Sequence, residues 1–199
     1  MPTKKARGKI SRHNTNQVRI IAGDWRGRKL AFPSIPGLRP TGDRMRETLF
    51  NWLTAYIHQA QVLDLFAGSG ALGIEALSRG AKNCIFVESD QNAARGLTEN
   101  LSTLNCKNAQ VIRQNAFEVI KTLAPNSIDI LFVDPPFDSH LHNSILDRVR
   151  NCQILAESAL VYIEAPANET IELPANWILL NTKASGQVSF FLYMTEAKD

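Results

Sequence analysis

The sequence has little cysteine: three residues in 199, at Cys84, Cys106 and Cys152. The number is odd and no CxxC pair occurs, which excludes a disulfide framework and a zinc knuckle as organising features. No metal site is expected, and the cysteine usage suits a reducing, cytoplasmic setting. Long apolar runs are missing as well. Nothing approaches the roughly 18–20 residues that cross a bilayer, so no membrane partner is expected. The N-terminus is basic, yet no apolar run follows it, which excludes a secretory signal; a transit peptide or a nuclear signal stays open. Internal repeats and low-complexity tracts are absent. Negative charge is scarcest near the start. In residues 1–46 twelve lysines and arginines stand against Asp24 and Asp43 alone, while the rest of the chain has ten basic residues against seventeen acidic ones. A net charge of +3 therefore conceals a basic N-terminal part, and such a part suits a polyanionic partner.

What is present divides the chain in three. Residues 1–16 are basic and poor in apolar groups, and read as a flexible arm. Residues 17–58 read as an extension. It has two short strands, Gln17–Ile21 and Arg28–Phe32, about a GDWRG turn, then a loop punctuated by Pro36, Gly37, Pro40 and Gly42. A helix over Asp43–Ile57 follows, with Met45, Leu49, Trp52, Leu53 and Tyr56 as its apolar stripe. From residue 59 to 199 apolar runs alternate with helical stretches. Strands are predicted at Gln61–Phe66, Cys84–Glu88, Gln110–Arg113, Ile128–Val133 and Ala159–Glu164. Helices are predicted at Ala71–Arg79, Gln91–Leu104, Ala116–Leu123 and Ser139–Asn151. That alternation predicts an α/β fold, a mostly parallel sheet with helices on both faces. Trp177–Lys183 and Gln187–Met194, joined by an Ala-Ser-Gly turn, predict a C-terminal antiparallel hairpin. A single domain with a small appendage suits this length, and a monomer is the expected state.

Two segments carry chemistry. The first is VLDLFAGSGALGIEAL, Val62–Leu77. An apolar strand ends near one acid, Asp64, and Ala67-Gly68-Ser69-Gly70 turns into a helix. Open α/β sheets bind ligands at the carboxyl ends of their strands. An acid there suits a cationic or amine-bearing ligand, such as a methionine moiety. Gly68, Gly70 and Gly73 also satisfy GxGxxG, a weak sign of a dinucleotide site. Glu88, about 20 residues on, is placed to hold ribose hydroxyls in either cofactor class.

The second segment is LFVDPPF, Leu131–Phe137. Two prolines fix the backbone and remove two amide donors, so the strand end presents acceptors: the Asp134 carboxylate and the Pro135 carbonyl. An exocyclic amine has two N–H groups for two acceptors. Its lone pair is delocalised into the base, and holding both hydrogens shifts the nitrogen toward tetrahedral geometry and aims the lone pair. Phe137 offers a face on which an extruded base can stack. Arg26, Arg28 and Lys29 at the hairpin suit phosphate contacts. Trp25 there reads either as a base-stacking residue or as a packing one. Trp52 and Trp177 read as core, Glu47 as helix surface, and His13, His58, His140 and His142 mainly as surface, with a substrate contact the lesser reading.

These residues resemble class I S-adenosylmethionine methyltransferases, in which [DNS]PP[YFW] marks action on planar amino nitrogens. RIIAGDWRGRKL (Arg19–Leu30), GLRPTGDRMRETLFNWL (Gly37–Leu53), DLFAGSGALGIEALSRGA (Asp64–Ala81) and FVDPPF (Phe132–Phe137) are similar to the RsmD family, bacterial 16S rRNA guanine-N2 methyltransferases. The resemblance implies a Rossmann-like seven-stranded sheet whose last strand is antiparallel. It implies S-adenosyl-L-methionine as cofactor, with Asp64, Phe66, Gly68 and Gly70 at its methionine end, Glu88 at the ribose, and Asn115 and Ala116 at the adenine. Asn115 stands where many superfamily members have Asp, so its side-chain oxygen is the expected partner of the adenine amine. Asp134, Pro135 and Phe137 are the implied catalytic residues, with Asp134 also beside the cofactor. Arg39 and Thr41 are implied near the target RNA. The implied partner is 16S rRNA in an assembled or partly assembled small ribosomal subunit, and the implied target is guanine 966 in bacterial rRNA numbering. A DNA adenine-N6 methyltransferase shares the DPPF chemistry but usually carries a target-recognition domain, for which the sheet leaves no residues after Phe137. A nicotinamide-dependent oxidoreductase leaves DPPF unexplained. A non-catalytic RNA-binding assembly factor has no use for Asp64, Glu88 and Asp134 together.

Overall fold

A computed structural model of the chain describes residues 15–33, 42–136 and 140–196. The arm up to residue 14, Arg39, Thr41 and Phe137 lie outside the described residues. Strands β1 (Thr15–Arg19) and β2 (Lys29–Pro33) form an antiparallel hairpin, followed by α1 (Asp43–Trp52). Then come β3 (Gln61–Asp64), α2 (Ala71–Ser78), β4 (Asn83–Val87), α3 (Gln91–Thr103), β5 (Ala109–Ile112), α4 (Ala116–Ile120), β6 (Ile128–Val133) and α5 (His142–Cys152). The chain finishes with β7 (Leu155–Pro166), β8 (Trp177–Ser185) and β9 (Val188–Thr195). The sheet order is β5-β4-β3-β6-β7-β9-β8. The first five of these strands are parallel, and β9 enters antiparallel between β7 and β8. The α/β fold read from the alternating pattern and the Rossmann-like seven-stranded sheet implied by the resemblance are both present.

Most predicted boundaries shift by a few residues, and three of the shifts bear on the packing. The helix read to Ile57 stops at Trp52, and turns carry the chain to β3. Its buried face is Met45, Arg46, Leu49 and Phe50. Tyr56 stands 45% exposed and Trp52 is half-buried, because the helix buries an arginine that an apolar pattern leaves out. The C-terminal turn is Gly186-Gln187: Ala184 and Ser185 pair with Ser189 and Val188 and so belong to β8. The helix after DPPF begins at His142 rather than Ser139.

Alternation along the strands builds two cores. Val62, Ile130, Phe132, Leu160 and Tyr162 face the hairpin, α1, α2 and α3. Leu63, Leu131, Val133, Val161 and Ile163 face α4 and α5. On the first face a series of aromatic contacts runs from α1 across the sheet: Phe50, Phe132, Tyr162 and Phe190, with successive centroids 6.2, 6.1 and 6.4 Å apart. These rings tie the extension and the sheet into one packed layer.

The hairpin is held to α2 by a buried carboxylate. Glu75 is fully buried and accepts from the amides of Ile21 (2.8 Å) and Ala22 (3.0 Å). It also meets Arg79 Nε at 2.8 Å and the buried Arg46 Nη1 at 3.6 Å. Arg46 reaches on to the Arg19 carbonyl and to Asp43. Ser78 continues the seam, donating to the Ala22 carbonyl and accepting from the Trp25 amide. At Gly23 a Cβ would lie 1.7 Å from the Ser78 carbonyl oxygen, so only glycine permits this approach. Trp25 packs, half-buried, against the same core, which settles its two readings in favour of packing.

Removing one member of such a network leaves the others buried without compensation. Glu75→Ala is therefore expected to cost about 3 kcal/mol in urea unfolding and to raise the exposure of Trp25 in fluorescence quenching. An unchanged midpoint would show that the hairpin is held by its apolar contacts alone.

Candidate active site

The order β4-β3-β6-β7 places one acid at the carboxyl end of each of four neighbouring strands: Glu88, Asp64, Asp134 and Glu164. They line an open cleft of about 1820 Å³ together with the glycine loop, Asn115 to Phe117, Pro135, Pro136 and the turns at 166–170 and 186–188. Glu169 adds a fifth carboxylate, and no lysine or arginine is among the described residues that line the cleft. Among the described residues no group of three or more His, Cys, Asp or Glu is arranged to hold a metal ion. No helix among them is long and apolar enough to cross a membrane.

Crowding of like charge shows in the protonation of the row. Burial pushes the Asp64 carboxyl up to about 7, with the Gly73 amide opposing and Glu88 reinforcing the rise. Asp134 is held well above the usual carboxylate range, first by burial and then by Glu164 and Asp64. Tyr162, which donates to Glu164 Oε2 at 3.3 Å, is likewise raised, by burial and then by Glu164 and Asp134. Each shift favours the neutral form, and each would be offset by a cation placed among the acids.

The glycine loop discriminates between the cofactor classes that its spacing leaves open. A dinucleotide pyrophosphate needs free backbone amides at the helix N-terminus. Here the Gly68 amide donates to Glu88 Oε2 at 2.8 Å, and the Gly73 amide donates to Asp64 Oδ2 at 3.1 Å. The amides that would cradle an anion already hold carboxylates. Gly73 has a further role in packing, since a Cβ there would lie 2.2 Å from the Phe86 ring. The third glycine of the pattern thus serves the contact between α2 and β4.

At the other end of the cleft Asn115 caps α4, its Oδ1 accepting from the Phe117 amide at 2.8 Å. That bond fixes the oxygen expected to meet an adenine amine and leaves it a second lone pair. The side-chain amide nitrogen remains a donor for a ring nitrogen, and Phe117 adds an aromatic wall beside the buried Ala116. Phe66 is half-buried and lines the cleft.

The basic residues of the hairpin lie elsewhere. Arg26, Arg28 and Lys29 are exposed, and none lines the cleft. The Asp24 and Trp25 amides contact Ser78, the last residue of α2, and Arg28 donates to the carbonyl of Thr103, the last residue of α3. Both helices start at the cleft and run away from it, so the hairpin turn sits at the opposite edge of the sheet.

The chain belongs to the RsmD family of methyltransferases. Residues 18–194 match the family described as Conserved hypothetical protein 95. The chain is 46% identical over 191 residues to Ribosomal RNA small subunit methyltransferase D of Escherichia coli K12, covering 96% of each chain. It is 47% identical over 180 residues to the Haemophilus influenzae protein of the same name, covering 89% of this chain and 93% of the other. The solved structure of Escherichia coli yhhF superposes with a TM-score of 0.84 at 45% identity, over 92% of this chain and all of that one.

The family resemblance and the strand-end pattern point to Asp64, Gly68, Gly70, Glu88, Asn115, Ala116, Asp134 and Pro135, and the cleft brings all but Gly70 into its lining. Sequence reasoning missed Glu164, Glu169 and Phe117, and it misread His142 as surface. His142 is 1% exposed, with Nδ1 2.8 Å from Glu169 Oε1 and Nε2 2.8 Å from the Glu164 carbonyl. The one available signal was its place just after DPPF.

The raised Asp64 has a measurable consequence for the free chain. The folded state holds a proton that the unfolded carboxyl, with its ordinary value of 3.8, releases at lower pH. This group's contribution is therefore largest near pH 4 and falls as pH rises to about 7. Asp64→Asn is expected to gain about 1–3 kcal/mol at pH 8 and to flatten that slope in thermal unfolding. Equal stability of the two proteins at pH 8 would refute the account of Asp64.

Proposed function

We propose that this protein transfers a methyl group from S-adenosyl-L-methionine to the exocyclic N2 of guanine 966 of 16S rRNA, in assembled or partly assembled small ribosomal subunits. The observation that carries the reading is the row of strand-end acids with Asp134-Pro135-Pro136 at its centre. The cofactor bears a sulfonium and an ammonium, and both suit a cleft lined by acids with no lysine or arginine among its described lining. The glycine-loop amides, already occupied by Glu88 and Asp64, disfavour a pyrophosphate. The two Escherichia coli and Haemophilus influenzae relatives carry a ribosomal RNA small subunit methyltransferase name, which supports the RNA substrate.

When bound, the cofactor supplies an electrophilic methyl group on a positively charged sulfur. Asp64 would face its amino-acid end, and Glu88, half-buried at the end of β4, would accept from ribose hydroxyls while keeping its amide partners. The Asp134 carboxylate and the Pro135 carbonyl accept the two hydrogens of guanine N2. That grip localises the lone pair and aims it at the methyl carbon. Transfer would form the N–C bond and break the C–S bond, and Asp134 would take the proton that the methylated nitrogen gives up. A neighbour as close as Glu164 raises the proton affinity of Asp134 and suits it to that step. Phe137 follows in the sequence as the stacking face for the base.

The direct test incubates unmodified small subunits with labelled cofactor and maps the labelled nucleotide; label on another base or another atom refutes the assignment. Calorimetry should show S-adenosylmethionine binding and no appreciable NAD binding. Asp134→Ala should lower methyl transfer at least 10³-fold with cofactor affinity changed less than about threefold. Retained activity would remove Asp134 from the mechanism. For the RNA, Arg26→Ala with Lys29→Ala should weaken binding and reduce its salt slope by about two, leaving cofactor affinity as it was. An unchanged slope would return both residues to ordinary surface.

A further inference from the structure

Glu169 lines the cleft and is held by a residue the proposed reaction does not use. Its Oε1 lies 2.8 Å from His142 Nδ1. Its Oε2 is buried with no hydrogen-bond partner. The other ring nitrogen of His142 lies 2.8 Å from the Glu164 carbonyl. A carbonyl only accepts, so Nε2 carries a hydrogen. One proton is then shared between Nδ1 and Oε1. On either side of that bond it leaves Glu169 Oε2 as an acceptor with open lone pairs. An unsatisfied buried acceptor is costly, and a ligand donor met as the side chain turns toward the cleft removes the cost.

Its position indicates which donor. Val133 pairs with Ile163 across β6 and β7, so Asp134 and Glu164 follow as neighbours, and their carboxyls interact. One imidazole bridges Glu164 to Glu169, so Glu169 stands within about 8 Å of the Glu164 carbonyl, two hydrogen bonds and a ring away. A purine whose 2-amino group is gripped at Asp134 and Pro135 presents the neighbouring N1 along the same edge. In guanine N1 carries a hydrogen. In adenine and in 2,6-diaminopurine N1 carries a lone pair.

We propose that Glu169, positioned by His142, selects the target base by accepting the N1–H of guanine. The proposal rests on the guanine-N2 reaction above and adds the source of its base selectivity. A lone pair at N1 meets the Glu169 acceptor with no hydrogen between them, so diaminopurine is disfavoured although its 2-amino group is intact.

The test uses the full chain and small subunits reconstituted with either guanine or 2,6-diaminopurine at the methylated position. The wild-type protein is expected to prefer guanine in kcat/KM by 10- to 100-fold, on the order of one unsatisfied buried polar group. In Glu169→Gln the preference should collapse to within about threefold or invert, since the amide can donate to N1. In Glu169→Ala it should also collapse, with no inversion. His142→Gln should reduce the preference by loosening Glu169. Cofactor affinity within twofold of wild type in each variant shows that the cleft is intact. A wild-type protein that methylates guanine and diaminopurine equally overturns the inference and needs no variant. Wild-type selectivity retained in both Glu169 variants overturns it as well. A wild-type protein inactive on guanine-bearing subunits refutes the proposed function instead.

Discussion

Four neighbouring parallel strands bring four carboxylates to one edge of the sheet, and the fold holds them together against their mutual repulsion. Glu88, Asp64, Asp134 and Glu164 share one edge of the sheet, with Glu169 beyond them. Water would separate or hydrate such charges; burial does neither, and it holds the Asp64 and Asp134 carboxyls above their ordinary range. The arrangement is unfavourable for the free chain and favourable once a cation enters. The two acids nearest the glycine loop are also kept in place by its amides, so the loop orients carboxylates instead of cradling an anion. The same spacing of glycines can serve either purpose, and the acids at the ends of β3 and β4 decide which.

The acid row also constrains the substrate. Phosphates are repelled from a cleft of this sign, so on the proposed reading only a base enters it, extruded from its stack. The strand ends then grip by hydrogen bonds to N–H groups, since every side chain in the row is an acceptor when ionised. A site of this kind favours bases rich in donors along one edge.

Much of this was legible in the sequence, and the rest was hidden for identifiable reasons. Strands β3, β4 and β6 are apolar runs bounded by turns, and the acids that end them stand out because nothing in a packed strand needs them. Residue order alone places Asp64 and Asp134 at one edge, because parallel strands align their carboxyl ends. Glu164 lies inside the long β7, and only the register with β6 brings it beside Asp134. Glu169 and His142 are 27 residues apart in sequence and meet only because α5 and the turn after β7 converge on one end of the sheet. Glu75 reads as an ordinary helix residue until the hairpin's amides close on it from 53 and 54 positions away. Arg46 likewise rotated the buried face of α1 away from the stripe that hydrophobic periodicity selects. Apolar patterns report the core well. They are silent on polar groups that are buried in pairs, because pairing depends on contacts between distant segments.

The hairpin's location bears on what the basic extension is for. Its turn is packed at the far ends of α2 and α3, helices of 8 and 13 residues. At 1.5 Å per residue they carry the turn about 12–20 Å from the cleft. Stacked nucleotides at about 3.4 Å per step would need roughly five steps to cover that distance, along a surface and around an edge. On the proposed reading Arg26 and Lys29 are therefore remote from the phosphates that flank the target base. On the proposed reading they meet a separate part of a folded RNA while the target base occupies the cleft. A substrate that reaches both edges at once is a structured particle rather than a short single strand. On that reading the seam of Glu75, Arg46 and Ser78 sets the distance between the two contacts.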